Sequence, residues 1–320
     1  MKVLITGGLG FVGTHLTRLL RNRGHDVFTL DLLPSPDPRH FRADIRSYRS
    51  LRGILEKGFD LVYHLAAEAG RWNGEDHYEA LWTTNVIGTK HLIRVQEALR
   101  FRLVYLSSSE VYGDYAGTMK EEVTERIPFH LLNDYAMTKW VGEEQILNSE
   151  RMSGTESVRI RMFNLYGPGE RFAPGRGVVA RFIWHAMQGL PYTVYSAHRR
   201  TSTYIDDAVR TLGALTDRFR PGRVYNIGGF EEHDMKRVSD IILKHLGLDD
   251  SLVRYEEREA FTTLVKSVDC TRAVDELGHR IEIDLEEGLA RTVRWAIDAY
   301  GAPRLRPSVS HAPSRNLGDP

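Results

Sequence analysis

The sequence predicts a doubly wound α/β fold: a parallel sheet with helices on both faces, joined to a smaller C-terminal α/β lobe. Three observations carry this reading. Short apolar runs alternate with amphipathic stretches through the first 165 residues. The first apolar run passes directly into a glycine-rich turn and then a helical pattern. After Gly167-Pro168-Gly169 the alternation gives way to shorter, interleaved pieces. Strands are expected at 2–6, 26–30, 60–65, 102–107 and 157–163, and helices at 12–23, 47–57, 77–99 and 134–150. Leu33-Pro34-Ser35-Pro36-Asp37-Pro38 is a loop, because proline fixes φ and removes the backbone donor. The later part reads as helices 178–189, 235–246 and 285–299 with strands 192–195 and 223–227; Asp234 is placed to cap the second helix. The main domain therefore spans 1–165, with core elements also drawn from parts of 200–230. Residues 166–301 make up most of the lobe. Residues 302–320, rich in proline, serine and charge without periodicity, are expected to be a flexible tail.

The opening residues are the most specific. Met1-Lys2-Val3-Leu4-Ile5-Thr6 is a strand pattern, followed at once by Gly7, Gly10 and Gly13 in G-x-x-G-x-x-G spacing and a helix with Leu16, Leu19 and Leu20 on one face. A strand, glycine turn and helix start aim free backbone N–H groups at a pyrophosphate. Asp31 closes the next apolar run, where a carboxylate meets the adenosine ribose hydroxyls of a Rossmann dinucleotide site.

Composition narrows the function further. Lysine plus arginine and aspartate plus glutamate are 43 each, so no global basic field points to nucleic acid. No apolar stretch approaches the roughly 20 residues that span a bilayer, and the apolar run at the amino terminus ends too soon for a signal peptide. A single cysteine, Cys270, allows no internal disulfide, and a packing role suits it better than nucleophilic chemistry. A cytoplasmic protein is expected. Glu231-Glu232-His233-Asp234 reads as a capped, solvated helix start, so no metal is expected.

Tyr135 and Lys139 lie four apart on a predicted helix and share a face. An ammonium beside a phenol favours the phenolate, which makes Tyr135 a base for removing a hydroxyl proton. Tyr-x-x-x-Lys alone is common on helix surfaces. Its weight comes from Leu103-Val104-Tyr105-Leu106-Ser107-Ser108-Ser109, a strand that runs into serines at the carboxyl edge of the sheet. A hydroxyl there can hydrogen-bond an oxygen whose charge changes.

Over roughly residues 1–300 the chain resembles the extended short-chain dehydrogenase/reductases, in their NAD-dependent nucleotide-sugar epimerase/dehydratase family. The resemblance rests on the glycine turn, Ala43-Asp44-Ile45, His64-Leu65-Ala66-Ala67, Asn85-Val86-Ile87-Gly88-Thr89, Ser107 to Gly113, Tyr135-x-x-x-Lys139 and Arg161-Met162-Phe163-Asn164-Leu165-Tyr166-Gly167-Pro168, in family order. It implies NAD as cofactor, held by Gly7, Gly10, Phe11, Val12, Gly13, Asp31, Asp44, Ile45, Leu65, Ala66, Ala67, Asn85, Ser107, Tyr135 and Lys139. It also implies catalysis by Ser108, Glu110, Tyr135 and Lys139. Ser108, Ser109, Asn164, Arg171, Val178 and Arg200 would bind a nucleotide-diphosphate sugar. A homodimer through helices containing 80–99 and 134–150 follows from the same likeness, with Trp82, Leu92 and Ile93 serving either that interface or the core.

The implied reaction oxidises C4 of the sugar with tightly held NAD+. The keto sugar then epimerises, eliminates water or loses a C6 carboxylate. Glu110 is the discriminating residue, a base for the C5 proton in the dehydratases. Ser109 stands where many 4,6-dehydratases carry aspartate. Gly177 to Ile183 is similar to UDP-glucuronate decarboxylases, and Arg171 and Arg71 fall where UDP-glucuronate 4-epimerases bind acidic sugar. Ser196-Ala197-His198-Arg199-Arg200 is shorter than the family's hairpin, Ser202 replaces an aromatic residue, and Lys266 stands near the place of a second phosphate-binding arginine. A one-way ketone or aldehyde reductase and a non-catalytic NAD-binding protein are the readings from other classes.

Overall fold

The computed structural model describes residues 1–70, 76–173 and 175–303. Arg71 and residues 304–320, most of the expected tail, lie outside them. Its centre is a seven-stranded sheet built from β1 (Lys2–Thr6), β2 (Asp26–Asp31), β3 (His40–Arg42), β4 (Leu61–His64), β5 (Arg102–Ser108), β6 (Ser157–Met162) and β7 (Val224–Ile227). The order is β7-β6-β5-β4-β1-β2-β3, and every pairing is parallel. The chain reverses direction across the sheet between β1 and β4, so a crevice forms at their carboxyl ends.

Strands covered on both faces must be apolar at successive positions. In β1, Val3 and Ile5 join one core cluster and Leu4 the opposite one; in β4, Leu61 and Tyr63 oppose Val62 in the same way. The first cluster is covered by α1 (Phe11–Asn22) and α6 (Ile205–Gly213), through Leu16, Leu20, Ala208 and Leu212. The second is covered by α2 (Tyr48–Leu55), α3 (Thr89–Leu99) and α4 (Asp134–Ser153), through Leu51, Leu55, Leu92, Ile93 and Ile146. Leu92 and Ile93 are fully buried in the single chain, which assigns them to the core.

The expected helix at 77–99 is a rod in three pieces: Tyr78–Trp82, a wider π-helical turn Thr83–Gly88, and α3. The lobe carries α5 (Val178–Met187), α7 (Met235–Leu246), α8 (Thr271–Leu277) and α9 (Leu285–Tyr300), with short strands at Tyr192–Tyr195, Arg199–Thr201, Val253–Glu256 and Val265–Lys266 among others. Asp234 caps α7 as expected, its carboxylate accepting the Arg237 N–H at 2.8 Å. Cys270 is buried just before α8, and burial pushes its thiol up to about 12, as suits a packing residue.

The sequence reading placed no elements at β3, α6, α8 or 253–256. β3 has three residues, none of them fully buried, which is too short for a periodic signal. The α6 residues are amphipathic, but a polar Asp206-Asp207 start hid them behind the preceding loop.

Candidate active site

A cavity of about 690 Å³ runs along the carboxyl ends of β1, β2 and β4, and one of about 540 Å³ lies between β5, β6 and the lobe. They share a wall that includes Val12, Leu106, Ser107 and Tyr135.

The glycine turn is built for close approach. Gly7 has φ of +69°, and a Cβ there would lie 2.7 Å from the Ala66 nitrogen. A Cβ on Gly13 would meet the Gly7 carbonyl oxygen at 2.2 Å. Gly10 begins α1 without a side-chain cap, so the free N–H groups at the start of this helix face the larger cavity, which Gly10, Phe11, Val12 and Gly13 line. Asp31 at the end of β2 accepts the Leu9 N–H at 3.1 Å and the Leu33 N–H at 3.2 Å, fixing its carboxylate at the rim. Asp44, Ile45, Leu65, Ala66 and Ala67 continue the lining. Arg46 pairs with Asp44 at 2.7 Å and, through that hydrogen bond, holds the carboxyl below the usual range.

A glycine turn packed tightly against its own backbone, free N–H groups and a rim carboxylate fit a dinucleotide diphosphate and its adenosine ribose. Asn85, expected at the cofactor, stands behind the lining residues of the larger cavity: its amide brackets Glu68, accepting from the backbone N–H at 2.9 Å and donating to the carbonyl at 3.0 Å, and it reaches Thr138 at 3.1 Å. It pins the loop after β4 to α4.

At the shared wall the expected triad assembles. Tyr135 and Lys139 are one turn apart on α4, with the ammonium 5.9 Å from the Tyr135 ring centre and donating to the Leu106 carbonyl at 2.8 Å. Ser108, in the smaller cavity, hydrogen-bonds the Tyr135 phenol. Burial pushes that phenol up to about 12, with the Ser108 bond and Arg176 opposing and Glu110 adding to the rise. The expected lowering of the phenol by Lys139 does not appear in the protein alone, where burial dominates and Ser108 and Arg176 are what oppose it. Burial likewise lowers Lys139 to about 8, against the pull of Glu143.

Behind the triad, Glu143 takes the Ser107 hydroxyl at 2.6 Å and Arg161 at 2.8 and 3.0 Å. Burial opposes its ionisation, yet Arg161, Arg159 and Ser107 hold its carboxyl below the usual range.

Glu110 lines the smaller cavity together with Ser109, Asn164, Val178 and Arg200. It is ion-paired to buried Lys266 at 2.5 Å and lies 3.4 Å from the Asn133 amide nitrogen. Asn164, at φ of +34°, donates to the Thr201 carbonyl at 2.9 Å. Arg200 is mostly buried and donates to the Leu264 carbonyl at 2.7 Å. Arg171 departs from the expected sugar site: it is exposed and lines the larger cavity. Arg176, which sequence reasoning missed, lines both cavities, and Arg181 lines the smaller one. The signal for Arg176 was weak, an arginine between two glycines with no spacing constraint.

The fold and site define a dinucleotide-dependent enzyme of the Rossmann class with a tyrosine–lysine–serine centre. The sequence profile described as "NAD dependent epimerase/dehydratase family" matches residues 3–228, and the chain belongs to that family. NAD is its cofactor. The chain is 27% identical to a UDP-N-acetyl-alpha-D-glucosaminuronate decarboxylase of Bacillus cytotoxicus, over 92% of this chain and 97% of that protein. It is 30% identical to UDP-glucuronate 4-epimerase 1 of Arabidopsis thaliana, over 94% of this chain and 78% of that one. The crystal structure of DesIV, a dTDP-glucose 4,6-dehydratase of Streptomyces venezuelae with NAD bound, superposes with a TM-score of 0.85 at 29% identity, covering 94% of this chain and 98% of that one.

Proposed function

We propose that this enzyme oxidises C4 of a nucleoside-diphosphate sugar and then epimerises or eliminates. The observation that carries the reading is Tyr135 on the wall common to both cavities, hydrogen-bonded to Ser108 in the smaller one and one helical turn from Lys139 in the larger one. NAD+, when bound, accepts the C4 hydride and later returns it. Tyr135 takes the proton of the C4 hydroxyl in its phenolate form, which the positive charges of Lys139 and of bound NAD+ would favour against burial, and Ser108 holds the sugar oxygen by hydrogen bonding. Lys139, fixed by the Leu106 carbonyl, offsets the phenolate charge. Asn164 and Arg200 orient the diphosphate, and Glu110 serves C5 in an elimination.

A second reading, a UDP-glucuronate 4-epimerase or decarboxylase, is favoured by one observation. Arg176 and Arg181 add cationic groups to the sugar cavity beside Arg200 and suit a C6 carboxylate.

We also propose a homodimer through the rod at 78–99 and α4, where Tyr78, Ile87 and Met137 are left exposed. No helix among the described residues is long and apolar enough to cross a membrane, and we propose a cytoplasmic location.

The test is product analysis by mass spectrometry and NMR, with NAD+ and UDP-, dTDP-, GDP- and CDP-sugars including UDP-glucuronate. Unchanged mass with inverted C4 identifies an epimerase, loss of water a dehydratase, and loss of carbon dioxide a decarboxylase. No turnover across the panel counts against the reading.

A further inference from the structure

Asn133 has no role in the chemistry above, yet its buried amide joins three groups around the sugar cavity. Its Oδ1 accepts the Ala136 N–H at 2.8 Å and so caps α4, two residues before Tyr135. Its Nδ2 reaches the Glu110 carboxylate at 3.4 Å and donates to the Phe261 carbonyl at 3.2 Å. These partners agree on one orientation of the amide: the Ala136 N–H needs an acceptor, and the carboxylate and the carbonyl each need a donor. Among the side chains that cap helices well, asparagine alone pairs a capping acceptor with a second, donating atom.

Glu110 is thereby held at both oxygens, Oε1 by Lys266 at 2.5 Å and Oε2 by Asn133. A carboxylate fixed at both ends keeps one orientation toward the cavity it lines, and its side chain is 16% exposed, open to a ligand there. Phe261 stands at φ of +58°, in the left-handed region that so large a residue disfavours, and such a conformation persists only with support from its surroundings. The bond from Asn133 supplies part of that support. The segment on either side of Phe261 walls the sugar cavity through Glu259 and Thr262, and the Thr262 hydroxyl lies 3.4 Å from the Arg200 guanidinium. One amide thus ties the first turn of α4 to the turn after β5 and to the lobe.

We propose that Asn133 is a positioning residue whose amide keeps Glu110, the base for C5, and the lobe wall at Phe261 in register with Tyr135, the base for C4. The inference rests on the roles given above to Tyr135 and Glu110. The two ends of the amide act on different steps. Oδ1 supports the helix that carries Tyr135, whereas Glu110 and Phe261 are reached only through Nδ2. Removing Nδ2 while keeping the cap therefore disturbs the C5 step and the hold on the sugar nucleotide, and leaves C4 oxidation in place.

The test compares Asn133→Ser and Asn133→Asp with the wild type in NAD+-loaded full-length protein, using the sugar nucleotide of the panel above that turns over. Both replacements keep a capping acceptor and lose the amide donor. Asn133→Ser is expected to raise KM about tenfold and to slow uptake of solvent deuterium at C5, read by NMR, by about tenfold or more. Formation of enzyme-bound NADH in a single turnover changes by less than about threefold, since the helix cap is kept. Asn133→Asp sets a second carboxylate against Glu110 and the Phe261 carbonyl, and both defects deepen. Either quantity at its wild-type value in Asn133→Ser overturns the proposal, as does an equal loss of NADH formation, the mark of a residue that only holds α4 in place. A wild type that exchanges no hydrogen at C5 removes Glu110 as a base, and KM alone then decides. No turnover across the panel counts against the substrate reading, and amide hydrogen exchange then decides on Asn133. Faster exchange across residues 259–264 in Asn133→Ser, with the first turn of α4 unchanged, supports the bridge; equal change in the two segments, or none, overturns it.

Discussion

Each catalytic side chain gains its meaning from what surrounds its polar atoms. Tyr135 is held as the neutral phenol by burial, so its chemistry depends on the charge brought beside it and on the Lys139 ammonium. Replacing Tyr135 with Phe is expected to lower kcat by at least about 10²- to 10⁴-fold while NAD stays bound, measured by turnover and by nucleotide content of the purified protein. Near-normal turnover would show that another group removes the proton. Glu110→Gln is expected to stop elimination but spare epimerisation, read from the product mass; unchanged dehydration would remove Glu110 as the base. The sequence made Tyr135, Lys139 and Ser108 legible because their spacing is fixed by one helix and one strand end. Arg171 and Arg176 were not separable in that way. They sit in a loop whose path is set by the Gly177 N–H meeting Glu170 and the Tyr300 hydroxyl meeting the Phe172 N–H at 3.1 Å, contacts that no local pattern encodes. Asn85 was legible as important, but its role as a fastener depends on Glu68 and Thr138, far away in sequence.

At the scale of elements, the carboxyl end of β4 is locked by His64, whose Nδ1 and Nε2 meet the Thr6 and Thr89 hydroxyls at 2.8 and 2.9 Å. Burial, with Lys139 adding, lowers this imidazole to about 3. The unfolded chain protonates His64 below about 6.5 and the folded chain does not, so its contribution to stability is present above that pH and is lost as pH falls toward 3. His64→Gln is expected to flatten the fall in stability between pH 6.5 and pH 5 by about 2 kcal/mol, measured by urea unfolding at each pH. An unchanged slope would mean that other groups carry the acid sensitivity.

The contact of α4 with β5 is equally tight. A Cβ on Gly142 would lie 2.2 Å from the Tyr105 hydroxyl oxygen. Gly142→Ala is therefore expected to cost about 1–3 kcal/mol and to reduce turnover by shifting Lys139, measured by denaturation and by kcat. Unaltered stability would show that the helix moves freely. The buried strands were legible because both faces demand apolar residues, whereas β3 and Val253–Glu256 carry too little burial to leave a pattern.

Across the whole molecule, the sheet draws on distant parts of the chain. β7 pairs with β6, and the Tyr63 hydroxyl donates to the Leu212 carbonyl at 2.9 Å. The core thus joins elements on both sides of residue 165, and a fragment of residues 1–165 is predicted to melt without a cooperative transition and to retain no NAD. Circular dichroism on heating and nucleotide analysis test this; a sharp transition with bound NAD would refute it. The fold class was legible throughout, since alternation and the glycine turn are local signals. The closing strand was placed at 223–227, but its neighbour in the sheet was not, because pairing partners leave no mark in single-strand periodicity. The late arrival of β7 also bears on biosynthesis. A ribosome making ~5–20 residues per second completes β6 seconds before β7 emerges. During that interval β6 presents an unpaired edge to every other nascent chain nearby, the kind of edge that invites aggregation. Growth temperature and chaperone supply should thus govern the yield of active protein more strongly than the stability of the finished fold.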